Sequence, residues 1–207
     1  MQLFNSEIIG MGSKLPDRIV TNKDLEVLLE TTDEWIKTRT GIEQRHWVVT
    51  ESTADLSYEA ALKALTQAQF KASDVQAIIM ATSTPDHQVP GSGVLVQARL
   101  GLFDIPVFEM RQACSGFLYS ISLADKLIGS GQYENVLILA AEVQSKLMDK
   151  TPRGRAISVL FGDGAGAVLL KRKKIIKSQA PPANQNDSLE SHVVFTEVHA
   201  DGRYAKE

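Results

Sequence analysis

Met110-Arg-Gln-Ala-Cys-Ser-Gly-Phe117 is the stretch on which the fold turns. The residues leading into it, Pro106-Val-Phe-Glu-Met110, read as a short strand. After it, apolar side chains fall at 117, 118, 121, 124, 127 and 128, a helical period that predicts a helix over 115–128. The chain's only cysteine, Cys114, stands where one period gives way to the other. A thiol in the first turn of a helix faces unpaired backbone N–H groups and the positive end of the dipole, which favours a thiolate. Ala113, Ser115 and Gly116 leave room beside it for a substrate. Cys114 is therefore a candidate nucleophile. The alternative is a small buried hydrophobe, the commoner state of a free cysteine.

Working outward, Gln76-Ala-Ile-Ile-Met-Ala-Thr82 and Asn135-Val-Leu-Ile-Leu-Ala-Ala141 are nearly continuous apolar runs, short enough to be strands covered on both faces. Between the first of them and the cysteine, Pro85 and Pro90 punctuate a loop that leads to a helix over 94–100. Strand, helix, strand, helix, strand at crossover spacing argues an α/β layer around a mostly parallel sheet. Cys114 then lies outside a strand's carboxyl end, where ligands bind in such folds.

Upstream, residues 7–13 read as a strand entering a Gly/Ser loop. Thr21 with Asp24 and Thr31 with Glu34 are capping patterns for two short helices, the second closed by Gly41. Residues 44–49 read as a strand, and 56–68 as an amphipathic helix with Leu56, Ala60, Ala61, Ala64, Leu65 and Ala68 inward. Downstream, 155–170 reads as a glycine-punctuated turn between apolar strands, 179–188 as a polar loop, and 191–199 as one more strand.

Composition excludes several classes. With 207 residues the chain can bury a real core. Charged residues make up 23% and the formal net charge is -3, which favours neither a nucleic-acid nor a membrane partner. One cysteine permits no internal disulfide and suits a reducing compartment. The N-terminus lacks the basic start and apolar run of a signal peptide, and no apolar run approaches membrane-spanning length. A cytoplasmic location is the expectation.

Single residues carry further readings. Gly162, Gly164 and Gly166 lack the lysine of a phosphate loop and precede a strand-like run, so a tight turn with close backbone approach is preferred. The four histidines, His46, His87, His192 and His199, show no metal-ligand spacing. Lys171 to Lys174 reads as a solvated strand end in preference to a docking patch for an acidic partner. Trp35 and Arg39 lie one helical turn apart on one face. They suit either an adenine ring and a phosphate or a packed tryptophan covered by an arginine stem.

Five stretches carry a resemblance: Thr32-Asp-Glu-Trp-Ile-Lys-Thr-Arg-Thr-Gly-Ile42, Arg45-His46, Ala113-Cys-Ser-Gly-Phe117, Leu160-Phe-Gly-Asp-Gly-Ala-Gly-Ala167 and His199-Ala-Asp-Gly202. In their order and spacing the chain resembles the N-terminal part of the β-ketoacyl-acyl-carrier-protein synthase III family, thiolase-fold condensing enzymes. The resemblance implies an N-terminal thiolase-like half over 1–174, with a mostly parallel five-stranded sheet covered by helices. Residues 175–207 are then a linker and the start of a C-terminal half that is absent or incomplete.

By the same resemblance Cys114 matches the acyl-accepting nucleophile, with its own N–H as an oxyanion donor. Trp35, Arg39 and Arg155 match coenzyme A contacts, Arg153 being the alternative to Arg155. Val89 falls where relatives place a residue lining the neighbouring subunit's acyl pocket. The implied substrates are an acyl-CoA and a malonyl thioester, joined by decarboxylative condensation, with an acyl carrier protein and a homodimer among the implied partners. No permanently bound cofactor and no metal is implied. None of the histidines matches the family's catalytic histidine, which with its asparagine partner belongs to the C-terminal half. Glu109-Met-Arg-Gln112 also departs from the family's small residues there, and Arg111 requires a partner. Two other readings stay open: acyl transfer to an alcohol or amine (or condensation without a carrier), and a non-catalytic partner subunit.

Overall fold

The structure, a computed structural model, describes residues 4–174 and 192–202. Its elements, in order, are β1 (Phe4–Lys14), β2 (Ile19–Thr21), α1 (Asn22–Glu26), α2 (Asp33–Thr40), β3 (Gln44–His46), α3 (Thr53–Gln67) and β4 (Ile78–Ala81). Then come α4 (Ser92–Arg99), β5 (Val107–Met110), α5 (Gly116–Gly129), β6 (Asn135–Val143), α6 (Arg155–Ser158) and β7 (Asp163–Lys174).

Five strands form one sheet in the order β1-β7-β6-β4-β5. β4 is parallel to both β5 and β6, whereas β7 is antiparallel to both β6 and β1. Four strands therefore run one way and β7 alone opposes them. The α/β layer is a mixed sheet, because helices α4 and α5 carry the chain back for each parallel pairing whereas the segment before β7 returns it reversed.

Side chains alternate across each strand, so the covered strands are apolar on both faces. Ile78, Met80, Leu137, Leu139 and Leu169 pack with α3 and Val96 on one side. Ile79, Val136, Ile138 and Leu170 pack with Ala124 and Ile128 of α5 on the other. A smaller cluster of Leu25, Leu29, Ile36, Trp47 and Val159 lies under α1 and α2. The approach of α3 to β1 is close enough that a Cβ at Gly12 would run into the Ala60 carbonyl, and one at Gly10 into that of Ala64.

Several expectations shift. The cap of α2 is Thr32, whose Oγ1 accepts from the Trp35 N–H at 3.1 Å, and not Thr31, whose hydroxyl is buried with no hydrogen-bond partner. The strand from Gln44 ends at His46, because the Trp47 N–H turns to the Arg18 carbonyl and the Val48 N–H to the Asp163 carboxylate. The glycine-punctuated region is not a turn between strands. Its first part is helix α6, and Gly164 and Gly166 lie inside β7. Its apolar residues mimicked a strand, yet of Ile157, Val159 and Leu160 only Val159 is buried.

Residues 192–200 form no strand. They lie against β1 and α5, held by Val193 N–H to Ser6 O of β1, and to α5 by Ser122 with Thr196 and by the Tyr119 hydroxyl donating to His199 O. Val193 meets edge strand β1 through its N–H, whereas Thr196 and His199 turn to side chains of α5, so no ladder runs along them. The basic strand end is pinned: Arg172 pairs with Glu134, Lys173 with Glu7 at 3.2 Å, and the Lys171 ammonium sits 5.8 Å from the Phe70 ring. The polar loop read over 179–188 lies outside the described residues.

Candidate active site

Cys114 reaches its position through a strained junction. β5 ends at Met110, and the chain turns through Gln112 and Ala113 before a single 3-10 turn, Ala113–Ser115, feeds α5. Ala113 has a φ of +44°, the left-handed region that a residue with a Cβ rarely adopts. Gly116 then seats α5 against the sheet, since a Cβ there would stand 3.3 Å from the Ala81 Cβ. The helix begins two residues later than Cys114, so the thiol lies just ahead of its N-terminus.

The thiol is exposed and borders a cavity of about 670 Å³. Ala81, Ala140 and Ala141 at the ends of β4 and β6 form part of its lining, together with Gly164, Ala165 and Gly166 of β7. Leu15, Phe117 and Phe161 add apolar side chains to the wall, and Ser83, Glu142 and Gln144 its polar ones. An apolar space beside a thiol and a helix start suits a nucleophile that must hold an apolar group. No histidine lines it among the described residues.

Glu142 was not legible as a site residue. Its carboxylate accepts from the Ser83 N–H and from the Thr84 hydroxyl, each at 2.7 Å, and Thr84 Oγ1 in turn accepts from the Val143 N–H. The end of β6 thereby holds the loop that follows β4, across a separation no local pattern records. The same loop is braced from β5. Arg111 finds its partner in Gln88, donating twice to Oε1 at 3.1 and 3.2 Å. Glu109 accepts from the Gly93 N–H at 2.7 Å and stands in for the side-chain cap that α4 lacks.

Glu109 is exposed as a residue, yet its carboxyl is tucked against Gly91 and Gly93. That burial holds it above the usual carboxylate range; the Gly93 N–H and Arg111 oppose the shift, and Asp86 adds to it. Val89 projects from the loop at 88% exposure, joined to Pro90 by a cis bond, and does not line the Cys114 cavity of its own chain.

Trp35 and Arg39 meet as their spacing requires, with the guanidinium carbon 4.5 Å from the ring centroid. Arg155 joins them from α6, also 4.5 Å from that centroid, and donates to the Glu30 carbonyl at 2.8 Å. Arg153 is brought elsewhere: it is exposed and faces Asp149 at 3.6 Å. Trp35 and Arg155 border a recess of about 380 Å³ between α1 and α2, with Glu30 and Thr31 on its wall. It is separate from the Cys114 cavity; the short path from Arg155 to Phe161 along the chain links the two.

Residues 108–181 match a family model described as 3-oxoacyl-[acyl-carrier-protein (ACP)] synthase III. The β-ketoacyl-[acyl-carrier-protein] synthase III of Cereibacter sphaeroides (strain ATCC 17029 / ATH 2.4.9) is 43% identical over 196 residues, covering 94% of this chain and 57% of that protein. The crystal structure of 3-oxoacyl-[acyl-carrier-protein] synthase III from Aquifex aeolicus VF5 aligns with a TM-score of 0.79 at 42% identity, over 82% of this chain and 55% of that one. The priming β-ketosynthase of the R1128 polyketide biosynthetic pathway aligns with a TM-score of 0.80 at 31% identity, over 84% and 52%. The chain thus spans little more than half the length of the curated relatives it matches. With the mixed five-stranded sheet and the cysteine at its carboxyl-end junction, these likenesses lead to one conclusion: the chain is a homologue of the β-ketoacyl-[acyl-carrier-protein] synthase III family of thiolase-fold condensing enzymes, matched over the N-terminal part of their length.

Proposed function

We propose that Cys114 accepts an acyl group from an acyl-CoA thioester and passes it to a malonyl thioester by decarboxylative Claisen condensation. The observation that carries this reading is the exposed thiol beside a helix start, on an apolar cavity of about 670 Å³. In the first half, the Cys114 sulfur attacks the thioester carbonyl, and coenzyme A leaves as its thiol. The tetrahedral oxyanion needs a donor, and the family resemblance assigns that role to the Cys114 backbone N–H. In the second half, the malonyl thioester loses carbon dioxide, its enolate attacks the acyl carbonyl, and the Cys114 thiolate leaves. A sulfur is suited to both halves, being a soft nucleophile and a good leaving group.

Coenzyme A enters this reading through Trp35, Arg39 and Arg155. Trp35 brings an aromatic ring against which adenine would stack in place of a guanidinium, and Arg39 and Arg155, each 4.5 Å from its centroid, bring positive charge for phosphates. Arg155 borders the recess and Phe161 the Cys114 cavity, so residues 155–161 join the two spaces that a long ligand with a reactive end would use. Val89, exposed on its loop, is assigned to the acyl pocket of a second subunit in a homodimer, and an acyl carrier protein is assigned as one carrier of the substrates. Residues 1–174 are read as one thiolase-like domain and 175–207 as a linker and the start of the next. The histidine and asparagine that the resemblance assigns to decarboxylation are not among the described residues lining the cavity, whose polar side chains are Ser83, Glu142 and Gln144. The first half-reaction is therefore the one that this chain's own side chains support best.

Intact mass after incubation with a panel of acyl-CoAs tests the reading. One acyl adduct is expected on the wild-type chain and none on Cys114→Ala, whose melting temperature should be unchanged because the thiol is exposed. Absence of any adduct from every acyl-CoA sinks the acyl-acceptor role. An adduct discharged by water or an alcohol, and not by malonyl-CoA, moves the reaction to simple acyl transfer.

A further inference from the structure

Two walls of the Cys114 cavity come from distant stretches: Leu15, just after β1, and Phe161, just before β7. Both are tied to residues 45–48. His46 Nδ1 lies 2.6 Å from the carbonyl of Pro16, the neighbour of Leu15. On the other side the ties alternate along the chain. Arg45 Nη2 donates to the Val159 carbonyl at 3.0 Å, Trp47 Nε1 to that of Phe161 at 3.4 Å, and the Val48 N–H to the Asp163 carboxylate at 2.7 Å. The two segments are so close at Gly162 that a Cβ there would stand 3.1 Å from the Arg45 Cβ.

Among these ties, the one from Trp47 reaches the main chain of a cavity-wall residue itself. The indole is 3% exposed, wedged among Leu25, Leu29, Ile36 and Val159, so it has little freedom to move. Phe161 is the opposite case: it is 37% exposed, so its ring is held less tightly by packing and its place follows its backbone.

We propose that Trp47 is a positioning residue for the Cys114 cavity, in which the buried indole N–H holds the Phe161 main chain and so sets the depth of the wall facing the thiol. The proposal rests on the reading of Cys114 as the reacting thiol of this cavity, but not on acyl transfer. A main-chain carbonyl released from its donor reorients, and the ring that follows it then opens or shortens the space for a long apolar group. Trp47 thereby selects among chain lengths without touching the chain.

Alkylation of Cys114 in the full chain by N-ethylmaleimide and by N-octylmaleimide measures this directly, as the ratio of the long-reagent rate to the short one. Trp47→Phe keeps most of the buried aromatic surface and removes the donor. It is expected to change the ratio by about tenfold, the discrimination that a misplaced methylene-sized wall produces in an apolar pocket. Leu25→Val, in the same cluster but with no tie to Phe161, is the control, expected to lower the melting temperature and leave the ratio alone. A Trp47→Phe chain with a lowered melting temperature and the wild-type ratio overturns the proposal. Should Trp47→Phe fail to fold, Trp47→Tyr, which keeps a ring but moves the donor, decides by the same ratio. Rapid alkylation of a wild-type Cys114 that takes no acyl group from any acyl-CoA would count against the proposed function and leave this measurement readable.

Discussion

Two carboxylates show how differently single residues are treated in this molecule. Asp55, in the first turn of α3, accepts from the Ser52 N–H in a capping box and pairs with Arg99 of α4 at 2.5 Å. The Ser52 N–H is the largest influence holding its carboxyl below the usual 3.8, with the Ser52 hydroxyl and Arg99 assisting against burial. Glu109 is shifted the other way, burial holding it above 4.5. The signs follow from linkage. A depressed folded value stabilises above the unfolded one and is lost as pH falls through the folded one. A raised folded value disfavours the ionised fold, and that penalty disappears as pH falls through it.

Asp55→Asn should therefore lower stability near neutral pH by about 1 kcal/mol, the usual weight of a cap, with the exposed ion pair adding little. The loss should vanish below the ordinary aspartate range. Glu109→Gln keeps an acceptor for Gly93 and removes the charge. It should be at least as stable as the wild type near neutral pH, with the advantage shrinking as pH falls towards and through the folded Glu109 value. Urea midpoints across the acid range check both, and parallel curves for the two variants would refute the assignment. The Cys114 junction was legible at this scale because two hydrophobic periods change beside it. Glu142 and Trp47 were not, because their partners lie 58 and 114 positions away.

Between elements, α3 approaches β1 closely. Ala60, Ala61 and Ala64 are fully buried, and Gly10 and Gly12 face the helix backbone. The small residues on both sides let the helix lie on the strand, which fixes the depth of the whole α3 layer. Gly12→Ala would place a methyl group into the Ala60 carbonyl and should cost about 1–3 kcal/mol, the usual price of overpacking. Thermal unfolding measures it. A neutral result would mean that α3 is free to ride outward, and the layer is then set by other contacts. The helix was legible from its apolar face, whereas its distance from β1 was not, since an alanine on a helix face says nothing of what will approach it. α6 shows the converse. Ile157 and, just after it, Val159 favour a strand locally, and the tie from Arg45 to the Val159 carbonyl comes from a different part of the chain.

For the molecule as a whole, stability is concentrated in the strands covered on both faces. Leu139 lies in central β6, between β4 and β7, with no exposed surface. Leu139→Ala should cost about 2–5 kcal/mol, since the surrounding sheet and α3 cannot collapse into the space. Urea denaturation followed by circular dichroism reads it. A cost under about 1 kcal/mol would show that this face is not close-packed. Such a loss is a large share of the stability of an ordinary domain, so the variant should unfold well before the wild type.

The sequence by itself determined the helices and strands with clear periods, the placing of Cys114 at a strand-to-helix junction, and the Trp35–Arg39 pair, because each depends on spacings of a few residues. Only the tertiary structure decided that β7 opposes the other strands, that Arg155 and not Arg153 joins Trp35, and that Glu142 and residues 45–48 hold the walls around the thiol. The physical reason is common to all of these. An apolar run reads the same in either strand direction, and a buried donor reveals its acceptor only when packing brings remote segments together.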